Sequence, residues 1–208
     1  MGIEIQQQVG PQILSDGVSA IPRLGKTGEN IVTELHGRYY EQASRGNLYV
    51  AHAIVTAPVI YTTAAGTGGP LLWNPPASGV NAVILGIGIG ITVVTTVAAA
   101  LGLTGNSGQT SAPGSTTAID SRASCKIGSG NGACTPYRIG TPTNAGAFFF
   151  PLLNLHTGAL TVDSLGLGWF DLGGSFVVPP GSWASLAASA TATSTVAQLG
   201  MMWEEVAV

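Results

Sequence analysis

The sequence predicts an all-β fold: a two-sheet antiparallel sandwich, with the jelly roll as its most economical form, and an extended N-terminal arm. Three observations carry this. Short runs rich in Val, Ile, Thr and aromatic residues recur between Gly, Pro and Asn turn clusters. No 3.6-residue apolar period is sustained anywhere. Charged residues make up 8% of the chain, far below the roughly 25% of an ordinary soluble domain, which suits a surface largely hidden against neighbours. With 208 residues the chain has the length of one such domain. An immunoglobulin-like sandwich fits less well, because two cysteines nine positions apart cannot form that fold's inter-sheet bridge.

Residues 1–48 stand apart as an arm. They hold four of the six Glu, three of the five Arg and Lys26, punctuated by Gly10-Pro11, Asp16-Gly17 and Pro22, with at most a short turn around 31–35. From Gly46 through Ile119 no residue is charged. The body, 49–208, begins with a strand from Leu48 to Thr56, a second over 59–63 and a loop, AAGTGGP. A short strand over 71–73 stops at Asn74-Pro75-Pro76.

The segment 80–103, VNAVILGIGIGITVVTTVAAALGL, has the length and apolarity of a membrane-spanning helix. Gly86, Gly88 and Gly90 alternate with Ile87, Ile89 and Ile91, however, a period of 2, and no Lys or Arg flanks either end. Two consecutive buried strands are expected, the Ile face in the core and the Gly face admitting another backbone. No membrane partner is expected.

Residues 105–146, rich in Gly, Ser, Thr, Asn and Pro, form an excursion too long for an ordinary connection. Strands resume at AFFFPLL (147–153), where Pro151 points to an edge or a bulge. They continue over 159–165, 169–172 and 175–178. Pro179-Pro180-Gly181 is a turn, and strands over 183–190 and 195–208 close the chain.

Chemistry is sparse in the pattern. Cys125 and Cys134 bracket KIGSGNGA, and two readings stay open: a possible disulfide closing a small loop, or two free thiols. His36, His52 and His156 occur singly, no G-x-S-x-G elbow accompanies them, and the alternation GIGIG runs into a strand rather than a helix N-terminus. Glu204 and Glu205 are adjacent on a strand, so they point to opposite faces and share no site. The expectation is a non-enzymatic chain without metal or cofactor. Trp73, Trp169, Trp183 and Trp203 read as core packing or, alternatively, as a carbohydrate platform. A net charge of −3 without a basic run argues against direct nucleic-acid binding.

Three stretches together carry a resemblance: VTELHGRYYEQASRGNLYVAH (32–52), LLWNPPASGVNAVILGIGIG (71–90) and VVPPGSWASLAASATATSTVAQLGMMWEEV (177–206). They resemble small virion structural proteins of tailed bacteriophages, in style the capsid decoration (cement) proteins, although 105–146 lies outside that pattern. The resemblance implies a jelly-roll-type virion protein, made in the bacterial host cytoplasm and carried on the capsid surface. It would oligomerise, as a trimer before a dimer, and clamp the major capsid protein. Arm residues Arg23, His36, Arg38, Tyr39, Tyr40 and Arg45 are of types favoured at interfaces. The alternative is a head-fibre or tail-associated protein that binds a host receptor or glycan.

Overall fold

The structure is a computed structural model that describes residues 37–56, 60–62, 71–93, 99–118, 123–155, 167–190 and 196–208. The chain divides into two units, Met1–Tyr40 and Glu41–Val208. Of the first unit only Gly37–Tyr40 is described, a turn in which the Tyr40 amide donates to the Gly37 carbonyl at 2.9 Å. The expected arm, the turn at 31–35, the loop 64–70 and the strand at 159–165 lie wholly or mainly outside the described residues. The strand expected over 59–63 is corrected where it is described: residues 60–62 form a single parallel bridge, Ile60 to Ala188, followed by a turn.

An extended stretch up to residue 48 is corrected in part by a helix, α1 (Tyr40–Arg45). Its sequence YEQASR contains good helix formers and closes at Gly46, whose φ of 80° disfavours any side chain. The Asn47 amide donates to Gln42 and the Gly46 amide to Ala43, both at 3.0 Å, the paired bonds of a Schellman cap.

Among the described residues eleven strands follow: β1 (Leu48–Thr56), β2 (Leu71–Asn74), β3 (Val80–Val93), β4 (Ala99–Ser107), β5 (Gly114–Ala118), β6 (Ala123–Ser124), β7 (Thr135–Thr141), β8 (Phe148–Leu155), β9 (Leu167–Val178), β10 (Ser182–Ala188) and β11 (Val196–Ala207). One sheet runs β6-β1-β11-β3-β9 and the other β5-β7-β2-β10-β4-β8. The antiparallel pairs β1·β11, β2·β10, β3·β9 and β4·β8 form a single ribbon folded back on itself. That is the double Greek-key order of a jelly roll.

Within 80–103 lie β3 and the start of β4, in different sheets, and among the described residues no helix is long and apolar enough to cross a membrane. The 105–146 excursion is inserted between β4 and β8. It adds β6 beside β1, and β7 and then β5 beside β2, so it widens both sheets on the same side. The opposite side ends in β8 and β9.

Both of these edge strands are irregular, as edges that avoid further pairing tend to be. In β8 the register skips Leu152, with Leu101 opposite Leu153 and Gly102 opposite Pro151, so the proline marks both an edge and a bulge. The segments 169–172 and 175–178 form one strand, β9, interrupted by Gly173 (φ 58°) and Gly174 (φ 80°). The Gly173 amide donates to Asp171 Oδ1 at 2.9 Å across that kink.

The core lies between the sheets. Ile84, Ile87, Ile89 and Ile91 of β3, Leu199, Met201 and Trp203 of β11, and Leu101, Leu103, Leu186 and Leu72 from the other sheet are buried there. Uncharged amides tie the loops to this body through hydrogen bonds to the backbone. Gln109 is fully buried: its Nε2 donates to the Ser111 carbonyl at 2.7 Å, and its Oε1 accepts from the Thr143 amide and hydroxyl, each at 2.9 Å. Asn74 Nδ2 donates to Val80 and Val178 carbonyls at 2.7 and 2.8 Å.

The turn at 179–182 is type II, with Pro180 and then Gly181 at φ 75° and the Ser182 amide donating to Pro179 at 3.1 Å. Gly181→Ala is expected to lower stability by about 1–2 kcal/mol, since only glycine adopts that φ without strain. A urea midpoint unchanged from the parent would contradict this.

Candidate interaction surfaces

Four of the six predicted interface residues fall within the described residues. Arg23 and His36 lie outside the described residues. In the first unit Arg38 and Tyr40 are exposed, and the Arg38 guanidinium stands 5.2 Å from the centroid of the half-buried Tyr39 ring. Arg45, in the second unit, is exposed in the last turn of α1, where a cation favours the helix C-terminus.

The structure has no disulfide between the two cysteines, Cys125 being exposed and Cys134 fully buried. The chain around Cys134 is held instead by Glu205. This carboxylate is 7% exposed and accepts from the Ala133 amide at 2.7 Å, the Cys134 amide at 2.9 Å and the Trp203 indole N–H at 3.3 Å. Gly132 leaves room for it, since a Cβ there would collide with the carboxylate. Burial pushes the Tyr49 hydroxyl above its ordinary range, with Glu205 and Cys134 adding to the rise. Glu204 faces outward, and β11 alternates inward and outward along its length as the period-2 reading requires. Burial holds its carboxyl above the usual range, with Arg45 pulling the other way.

The four tryptophans have different fates. Trp203 is fully buried and stacks on Tyr49, ring centroids 5.9 Å apart. Trp183 is also buried and donates its indole N–H to Asn144 Oδ1 at 2.8 Å. Trp73 is half-buried, its indole N–H directed to the Gln109 carbonyl at 3.4 Å. Only Trp169 is exposed, at 57%.

Trp169 also corrects the expectation for the glycine face of β3. What lies close against Gly86 and Gly88 is no backbone but the Trp169 indole. A Cβ at Gly86 would collide with the ring, and one at Gly88 would sit 3.5 Å from its Cε3.

A second surface lies at the β8–β9 side. Phe148 and Phe150 face inward toward β9, Phe148 stacking on Phe176 at 5.8 Å and Phe150 tilted against it at 5.2 Å. They are nevertheless 40% and 43% exposed, because the sandwich is open between its two edge strands. A cavity of about 270 Å³ enters there, lined by Ile84, Leu103, Phe148, Phe176, Val178 and Trp183. Sequence reasoning took FFF only as a strand. Its signal was the position of Pro151, which marks the strand as an edge and so leaves its inward aromatics at an unclosed side.

Among the described residues no three His, Cys, Asp or Glu side chains gather as metal ligands. His52 lies exposed on the outer face of β1, and His156 lies outside the described residues. Comparison with protein-family models, with curated proteins and with solved structures finds no match to this chain.

Proposed function

We propose that this chain is a virion structural protein, a capsid decoration subunit that oligomerises and clamps neighbouring major capsid subunits of a tailed phage head. The observation that carries the reading is the unclosed β8–β9 side. Two core-facing phenylalanines remain about two-fifths exposed there, in a chain with few charges to keep a free monomer dispersed. Burying both rings against a neighbour would remove that apolar area from water. Within a lattice, many such modest contacts reinforce one another through high effective concentration. The jelly-roll order is compatible with this role but is shared by lectins and other folds' functions, so it weighs only as analogy.

The test is attachment to expanded capsids of the phage that encodes the chain. Deletion of residues 1–30 is expected to abolish attachment while the body still folds, and the pair Phe148→Ser and Phe150→Ser to weaken it by tenfold or more, roughly 1.4 kcal/mol. Full-occupancy binding by both variants would remove the decoration reading. Copy number in purified virions gives an independent measure: hundreds of copies fit decoration, and tens fit the fibre or tail-associated alternative.

A further inference from the structure

We infer that the outer face of the β1-β11-β3-β9 sheet carries a saccharide site, in which Trp169 is a stacking platform for a neutral hexopyranose. This goes beyond a role in the capsid lattice and does not depend on it.

The first ground is the posture of the indole. The Cε2, Cζ2 and Cη2 edge of the ring lies over Gly86, where a Cβ would stand 2.8 Å from Cε2 and 3.0 Å from Cη2, and the Cε3 and Cζ3 edge lies over Gly88, where a Cβ would stand 3.5 and 3.7 Å away. The six-membered ring therefore spans both glycines with one face against the strand. Its 57% exposure leaves the opposite face in water. A tryptophan seated only to fill space would bury both faces, as Trp203 does at 0% exposure. The glycine floor also fixes the ring before any ligand arrives, so little side-chain freedom remains to be lost on binding.

The second ground is what surrounds it. The strand registers place Trp169 opposite Gly88, Gly88 opposite Gly200 and Gly200 opposite His52. Two glycines in one row leave a notch between the indole and the exposed His52 imidazole. With the indole lying over Gly88, the open span runs from β3 to β1, two strand spacings of ~4.8 Å or about 10 Å, enough for one sugar ring. A Cβ at Gly200 would find its nearest neighbour, the Ala51 carbonyl, at 3.8 Å, so the notch exists because that position lacks a side chain. The flanking rows bring Asp171, opposite Gly86, with Met202 and the exposed Val50 beyond, and Gln198, opposite Gly90, with the exposed Ile54 beyond. A flat apolar ring, a carboxylate, an amide and an imidazole around a shallow notch match a pyranose, which offers C–H groups on one face and hydroxyls at its rim.

The third ground is charge. None of β1, β3, β9 and β11 contains Lys or Arg. An anionic sugar would meet Asp171 without a cation from those strands, so the ligand class is neutral.

The experiment is a titration of the full chain, labelled with ¹⁵N, with maltotetraose, cellotetraose and N,N′,N″,N‴-tetraacetylchitotetraose. The four indole N–H signals are followed separately. The expected result is that at least one of the three shifts the Trp169 signal saturably at or below about 10 mM, leaving the other indoles in place. Trp169→Ala should then weaken binding at least tenfold, about 1.4 kcal/mol. Gly86→Ala should also weaken it by lifting the ring off its floor, while Trp169→Phe keeps part of the affinity. The unmoved indoles of Trp73, Trp183 and Trp203 report that each variant is folded. The inference is overturned if none of the three sugars shifts Trp169, or if Trp169→Ala binds as well as the parent. It is also overturned if the Trp169 signal broadens with protein concentration alone, which would seat a second copy on the platform.

Discussion

Trp203→Ala is expected to lower the free energy of unfolding by about 3–5 kcal/mol, the usual range for truncating a large buried aromatic. The side chain is fully buried on the central strand β11, opposite Tyr49 in register and stacked on its ring. It lines a small void with Ala51, Leu72, Met201, Pro136 and Tyr137. It therefore joins three parts of the fold: the first strand, the last strand, and β7 from the inserted excursion. Removing the indole would enlarge that void at a point where the surrounding strands are fixed by ladder hydrogen bonds and cannot readily collapse into it. A domain of this size has only about 5–15 kcal/mol of net stability, so the loss is a large fraction of the whole. The measurement is the urea midpoint at unchanged denaturant slope. Trp203→Phe should recover much of the loss, since it restores most of the ring volume and forfeits only the N–H bond to Glu205. A loss below about 1 kcal/mol in the alanine variant would show that the site repacks, contrary to this account.

Glu205→Gln is expected to cost about 2–3 kcal/mol although it changes the side chain by little more than one atom. Both carboxylate oxygens accept from N–H donors: Ala133 on one, Cys134 and the Trp203 indole on the other. An amide keeps one acceptor and turns a donor toward a buried backbone N–H, which leaves two donors facing each other. The consequence should be local before it is global. Hydrogen exchange at Ala133 and Cys134 should accelerate well before exchange in β3 or β11, because the carboxylate is what holds this part of the excursion against the body. Unchanged protection at these two amides would refute the clasp.

The neighbouring Glu204→Gln serves as the contrast. Burial raises the Glu204 carboxyl above its ordinary value of 4.5, so the folded chain keeps that proton longer than the unfolded chain as pH rises. Its contribution to stability is complete below the ordinary value and declines as pH climbs through the raised one. The glutamine variant should therefore gain on the parent near about pH 7 and match it near about pH 3. Two adjacent acids would then respond in opposite directions to the same substitution.

Much of the fold was legible because strand and turn formation depend on local chemistry. Period-2 alternation in GIGIGI is incompatible with a helix face, and it correctly assigned the isoleucines to the core. Pro180-Gly181 specifies a type II turn through two neighbouring backbone preferences. Adjacent glutamates on a strand must diverge, and they do. The short helix at Tyr40–Arg45 was missed because six residues are too few to display a period, although Gly46 was a stop signal in plain view.

The interaction surfaces were only half legible. The sequence pointed to Trp183 and Trp203 as structural caps, but nothing near Trp169 in the chain reveals that it lies on Gly86 and Gly88, more than eighty positions away. The inward direction of Phe148 and Phe150 follows from alternation. Their exposure does not, since it arises from where the two sheets end.

What local chemistry decided by itself, then, is that this chain is a succession of strands and turns with a charge-poor, two-sided core. Tertiary structure decided which strands meet, as when Leu48 pairs with Glu204 across most of the chain. It also turned the excursion into strands that widen both sheets, left the cysteines unbridged and set one carboxylate to hold the inserted segment. The physical reason is that φ/ψ preference and alternation act over a few residues. Partner choice, burial and exposure are set by contacts between segments far apart in sequence, and those exist only once the ribbon has folded back on itself.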